Sequence, residues 1–369
     1  MVTSENILAF RERVNRHDFV LNKYRDYNGK NLWGCICSAM DWITVAVSFF
    51  EAHPTPEITA DNDDLSSVNV YTYISCIDMV FEAVKQLHKI FVNPNGIPFH
   101  GEKTVFKKNI YCEDDNRYFK MLRACFGAHP VDLKDYFSKP EKEQRFASWS
   151  GGHFSSQDYG VILYSITPGE QDIPLDVDFE ELGAFLARTY AYLDKLIAVI
   201  DADEQEHIAC WQATEIQQST DICTQLRILS EENKKRLNNE YYKYVIDSLS
   251  IIFASEISNP NNARAVEQYR DRIRPAVDEL LYALQKMDHA EIETFENVET
   301  NLVGIPHSVS NGLAELSDRV FTGISKYPIW LPSVVKYVSP FVEISGTEDD
   351  YELYLLTRAG MDAARRPQI

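Results

Sequence analysis

Apolar side chains recur at three- and four-residue spacing through most of this chain, the periodicity of helices that bury one face. Residues 4–25 place Ile7, Leu8, Phe10, Val14 and Phe19 to Leu21 on such a face, with Arg11, Arg13 and Arg16 in solvent and Ser4 at the N-cap position. Tyr27-Asn28-Gly29-Lys30 breaks the pattern. A second helix over 35–52 is apolar nearly all round, from Ala39 and Trp42 to Phe49 and Phe50, which predicts a central position in the core. His53-Pro54-Thr55-Pro56 ends it, because each proline biases its predecessor away from helical geometry, and the acidic loop Asp61-Asn62-Asp63-Asp64 follows. Val70, Tyr73, Ile77, Val80, Val84 and Leu87 predict a third helix over 68–92, stopped by Asn93-Pro94-Asn95-Gly96. A fourth begins near Asp115 and carries Tyr118, Met121, Leu122, Cys125 and Phe126, with Gly127 and Pro130 limiting its length.

The pattern then changes. Arg145 to Trp149, Gly151-Gly152 and Tyr159 to Ile166 read as a small β-hairpin or two short strands, closed by Pro168-Gly169. Long helical patterns return over 177–217, 220–257 and 262–287, where Pro275 marks a kink or a join. Residues 307–369 mix a short helix, the proline-punctuated stretch Pro328 to Pro340 and a terminal helix near 348–365. The expected fold is mainly α. It comprises an N-terminal helical bundle over 1–150, a β-hairpin and linker over 151–176, and a C-terminal long-helix domain over 177–369, with a soft boundary at 167–176.

Composition narrows the picture. At 369 residues the chain suits two packed units, and 45% hydrophobic with 25% charged residues is the mix of a folded protein. The formal charge of −20 argues against a protein that coats nucleic acid or binds anionic membranes, so any nucleic-acid site must be a local basic patch. Among the seven cysteines only Cys35 and Cys37 lie close, and C-x-C without a second pair is poor zinc spacing. The pattern fits a reducing cytoplasm, with no metal and no cofactor implied. The N-terminus soon becomes charged, unlike a signal peptide, and the longest apolar run, Trp42 to Phe50, falls short of the roughly 20 residues that span a bilayer. The expectation is a cytoplasmic protein that is not membrane-embedded.

Candidate chemistry concentrates in Phe119-Lys120-Met121-Leu122-Arg123-Ala124-Cys125-Phe126-Gly127-Ala128-His129-Pro130. An arginine beside a core is costly unless its charge finds a partner. Arg123 offers a permanent cationic fork suited to phosphate, and His129 a group that exchanges protons near neutral pH. Together they could cleave a phosphodiester without metal, His129 moving the proton and Arg123 stabilising the anionic transition state. Lys107, Lys108, Arg117 and Lys120 gather in the same stretch with Tyr118 among them, as an RNA site combining phosphate contacts and stacking would need. The alternative is structural: His129 as a hydrogen-bonded core residue, Arg123 in an ion pair with Asp78 or Glu82, and the lysines on a solvated mixed surface.

Helices followed by R-x(4–6)-H resemble the HEPN superfamily, and the resemblance covers about residues 35–140. It implies a small α-bundle acting as a metal-independent endoribonuclease, with the motifs of two subunits facing a shared cleft in a homodimer. It also implies a place in a toxin or antiphage defence system. On that resemblance Arg123 is the phosphate clamp and His129 the acid/base, while Asp78 is offered as an orienting carboxylate. Ala124 stands where the family commonly has Asn, and Pro130 sets His129 at a helix end or in a turn. The competing class is a non-enzymatic interaction or scaffold protein whose long C-terminal helices dock a partner.

Other motifs are weaker. Glu204-Gln205-Glu206-His207 holds a single Glu-x-x-His without the second copy that a di-metal bundle needs, so it reads as a solvated face. His100 and His153 lie in expected loops without recognisable partners, and Gly151-Gly152 lacks the Lys-Ser or Lys-Thr of a phosphate-binding loop.

Overall fold

A computed structural model describes residues 2–59, 61–107, 112, 114–127, 144–149, 158–300, 304–323 and 329–366. The chain is mainly helical with one small sheet, and it divides into two compact units, Met1–Glu204 and Gln205–Ile369. In the first unit come α1 (Glu5–Asn15), α2 (Phe19–Tyr24), α3 (Leu32–Ala52), α4 (Asp63–Phe91) and α5 (Asp115–Gly127). Strands β1 (Arg145–Ser148), β2 (Tyr159–Ser165) and β3 (Ile173–Val177) follow, then α6 (Phe179–Ala213), in which the unit ends.

Caps and left-handed residues account for most differences from the periodicity. The single helix expected over 4–25 is broken, because His17 (φ 57°) and Asp18 (φ 53°) are left-handed. Ser4 makes no side-chain cap; its backbone N–H donates instead to Glu51 Oε1 at 2.7 Å. Helix α3 begins at Leu32, where the Asn31 side chain accepts from Gly34 N–H at 3.1 Å. Helix α4 begins five residues before the expected 68, because Asn62 caps it through Leu65 N–H at 3.0 Å. Asp63 and Asp64, expected in a loop, form its first turn, where carboxylates complement the helix dipole.

The sheet has three antiparallel strands in the order β1-β2-β3, with Phe146 opposite Tyr164 and Val161 opposite Leu175. Its third strand lies in the stretch expected as linker. Leu163, Leu175 and Val177 join one core with Phe81, Phe119, Phe185 and Leu196. The boundary expected at 167–176 is therefore displaced. The helical pattern resumes there, but the first part of α6 still buries its apolar face in the N-terminal core.

Arg13 is likewise not solvated. It is buried against α6, with Nη2 on Glu204 Oε2 at 2.6 Å, so Glu204 is half of a structural ion pair rather than part of a solvated face. Within α3, Ile36, Met40, Ile43, Val47 and Phe50 are buried, yet Trp42 and Val45 are exposed. The helix lies along the edge of its unit and is not central. Among the described residues it is the one helix long and apolar enough to cross a bilayer, with mean hydropathy 1.5 over its best window.

The second unit holds α7 (Ile222–Arg236), α8 (Glu240–Ala254), α9 (Ala263–Ile273) and α10 (Pro275–Lys286). It continues with a short α11 (Glu293–Phe295) running into a π-helical turn, then α12 (His307–Thr322), α13 (Leu331–Val338) and α14 (Asp350–Arg365). The helix expected over 220–257 is two helices, because Asn238 is left-handed (φ 46°) and Asn239 caps α8 through Tyr242 N–H. Pro275 opens α10 at the expected join. Tyr242, Tyr269, Leu280, Phe295 and Tyr354 anchor the unit's own core.

Candidate functional site

Arg123 stands on the outer face of α5, one turn after Lys120. Across from it, α4 presents Asp78 and Glu82, four residues apart and therefore stacked on one side. Arg123 Nε lies 2.8 Å from Asp78 Oδ2, and Lys120 Nζ lies 3.4 Å from Glu82 Oε1, with Lys85 also paired to Glu82. The arginine side chain is 51% exposed and the aspartate 16%. Burial pushes the Asp78 carboxyl above its ordinary range, against the pull of the Arg123 guanidinium. Glu82 sits below its ordinary range, since Lys85 and Lys120 together outweigh its own burial. Lys85 is pulled down by burial, with Glu82 opposing.

Asp78, Glu82 and Arg123 line one side of an open groove of about 760 Å³ formed by α3, α4 and α5, between Tyr71 at one end and Gln86 at the other. Its depth has a cause in the sequence. Gly34, Cys35, Ser38 and Ala39 along α3, with Ser75 and Ala83 on α4, keep the floor low, while Trp42 and Tyr71 rise at one end. Trp42 is 55% and Tyr71 45% exposed. The groove is thus amphipathic along its length, apolar and aromatic toward Trp42 and charge-paired toward Arg123.

The expected basic cluster is divided. Lys107 is exposed at the other end of α5, its backbone N–H donating to Glu181 Oε1 at 3.1 Å. Arg117 is half-buried there, with its backbone N–H on Asp114 Oδ1 at 2.8 Å. Tyr118 is buried with its ring 5.0 Å from that of Phe106, so it is a core residue and presents no stacking surface. Lys108 and His129 lie outside the described residues, as do His153 and Gly151-Gly152. Asp78 binds the expected arginine, and among the described residues Lys120 is the one expected substrate-binding lysine that lies beside it.

His207 hydrogen-bonds the Arg236 carbonyl at 2.8 Å, and His100 Nδ1 lies 3.5 Å from Asp114. Among the described residues no three His, Cys, Asp or Glu side chains gather as a metal site. Trp42 and Tyr71 were hidden from sequence reasoning because aromatic residues at helical spacing read as core. The chain matches no protein-family model, no curated protein and no solved structure.

Proposed function

We propose that this chain is a non-enzymatic helical interaction module whose groove across α3, α4 and α5 receives apolar side chains of a partner. One observation carries the reading: Trp42 and Tyr71 stand exposed on opposite walls of the groove. Large aromatic side chains left in water beside a concave floor are the usual anchors of binding interfaces. The Arg123–Asp78 pair agrees with it, as a polar flank of the groove in which the arginine serves structure. A displayed library of helical peptides tests the proposal. Wild-type protein should enrich sequences with an apolar face, and Trp42→Ala combined with Tyr71→Ala should lose them. Library members retained equally by both proteins, or no enrichment, would overturn it.

A second reading, a HEPN-type metal-independent endoribonuclease, draws support from one feature: the Arg123 guanidinium is half exposed at the mouth of a groove with Lys120 one turn away. There Arg123 would clamp phosphate and His129 would act as acid/base, in a homodimer acting on RNA. Cleavage assays in chelator with wild type, Arg123→Ala and His129→Ala decide the matter. Activity leaving 2′,3′-cyclic phosphate ends and lost in both folded variants would establish this reading in place of the first.

A further inference from the structure

We infer that the partner segment taken by this groove is a basic amphipathic helix of another protein, seated with its basic flank over the N-terminal end of α4. The inference rests on the interaction-module reading and adds to it the occupant's chemistry and direction. Its geometric basis is a strip of exposed apolar side chains on two neighbouring helices. Trp42 and Val45 lie one turn apart on α3, and Leu65, Val68 and Tyr71 follow at three-residue steps on α4. Such a strip suits a helix offering apolar residues at i, i+3, i+4 and i+7. From Asn31 to Val45 the wall spans roughly 21 Å at the rise of a helix, which is about four turns of a partner.

Charge selects among occupants. Exposed Asp61, Asp63 and Asp64 stand at the apolar end beside Leu65 and Val68, and Asp41 precedes Trp42. Arg11 answers Asp41 at 2.6 Å, whereas no ion pair to Asp61, Asp63 or Asp64 is seen among the described residues. Farther along the groove the carboxylates of Asp78 and Glu82 are already matched by Arg123, Lys85 and Lys120. Among the described residues, carboxylates without an ion pair therefore border the aromatic end. A second copy of a chain carrying a formal charge of −20 would bring like charge against it, and an anionic bilayer or RNA would be repelled in the same way. Lysines or arginines flanking an apolar helix face supply the complementary charge. The small residues Gly34, Cys35 and Ser38 let the partner's backbone approach closely at the neutral end.

The test uses the full chain and fluorescein-labelled helical peptides sharing one apolar face but flanked by Lys, Gln or Glu, followed by fluorescence anisotropy. The Lys-flanked peptide should bind at least tenfold more tightly than the Glu-flanked one, with the advantage shrinking as salt is added. Trp42→Ala should weaken all three, and its exposed position leaves the circular-dichroism spectrum unchanged. Replacing Asp61, Asp63 and Asp64 together by Asn should erase the preference for lysine, while Asp78→Asn should leave it intact. Equal binding of the three peptides would overturn the charge inference and leave the interaction module standing. No binding by any of them would count against both. Trp42-dependent binding to zwitterionic vesicles instead of peptide, or a Trp42-dependent dimer of the free chain, would assign the face to lipid or to a second copy and overturn the proposal.

Discussion

Two arginine–carboxylate pairs, one in each unit, share a sequence signature and differ in surroundings. Arg123 interrupts the apolar run of α5 and meets Asp78 at 2.8 Å; Arg358 interrupts that of α14 and meets Glu299 at 2.9 Å. The Arg123 side chain is 51% exposed, whereas Arg358 and Glu299 are 9% and 2% exposed. The sealed pair is supported on several sides. The Tyr269 hydroxyl donates to Glu299, the Tyr354 ring lies 5.0 Å from the Arg358 guanidinium, and Arg358 also donates to the Ser317 hydroxyl. The π-helical turn at Glu296–Thr300 places Glu299 in this setting. An arginine amid apolar residues therefore announces a demand for a partner and nothing more. Whether water also reaches it separates a structural bolt from a surface that another molecule can touch.

The difference predicts unequal consequences of breaking each pair. Arg358→Ala would leave the buried Glu299 carboxyl without its direct ion-pair partner, with Arg365 still acting on it, a kind of change that costs about 3–5 kcal/mol. Urea denaturation should show this as a large fall in midpoint, with the second unit melting first if the units unfold separately. A loss below about 1 kcal/mol would mean that water or the Tyr269 hydroxyl already satisfies Glu299, and the pair would then resemble the exposed one.

How far the sequence foretold these sites follows from what periodicity encodes. It reports which side chains share a face, so the apolar faces of α4, α5 and α6 and the join at Pro275 were legible. It says little about whether a face is covered. Helix α3, apolar nearly all round, read as central because nothing in its own pattern shows that Trp42 and Val45 lack neighbours. Left-handed residues at His17, Asp18 and Asn238 interrupt helices without proline or glycine, and the Asn62 cap turned an acidic loop into a first turn. Strand β3 contains Pro174 and Asp176 and pairs only along β2, so its alternation was too short to register. The Arg123–Asp78 pair was among the alternatives raised by the sequence. Arg358 carried the same mark and drew no notice, because no histidine stood near it to suggest chemistry.

Packing tolerance should follow the same division. A Cβ on Gly360, two residues after Arg358, would stand 2.6 Å from Val338 Cβ, so Gly360→Ala must push α13 and α14 apart, at about 1–3 kcal/mol. On the groove floor a Cβ at Gly34 meets nothing nearer than the Asn31 side chain at 3.6 Å. Gly34→Ala should therefore be neutral or stabilise by up to ~1 kcal/mol through helix propensity. Thermal melts of the two variants should move in opposite directions or, at the least, only the Gly360 variant should fall. A Gly34 variant that melts as low as Gly360→Ala would mean that the groove floor is as tightly packed as the interior.

The smallest effect is the most specific to the open site. Removing the exposed partner, Arg123→Ala, should cost ~1 kcal/mol or less near neutral pH, because solvent screens the pair. Asp78 already titrates above its ordinary value of 3.8 through burial, and the guanidinium is the first of the charges that restrain it. Its removal should raise the Asp78 pKa further, visible in the side-chain carboxyl carbon shift against pH. The sign of the linked stability follows. A carboxyl whose folded pKa is raised stabilises the fold fully below its unfolded pKa, and that contribution is lost as pH rises through the folded pKa. In the variant this loss starts from the same unfolded pKa but extends to a higher folded one and is larger, so the penalty of Arg123→Ala should be present near neutrality and vanish under acid, where Asp78 is protonated and no ion pair exists to break. An Asp78 titration curve identical in the two proteins would show that the guanidinium does not act on that carboxylate, and the polar flank assigned to this pair would rest on Glu82 with Lys120 instead.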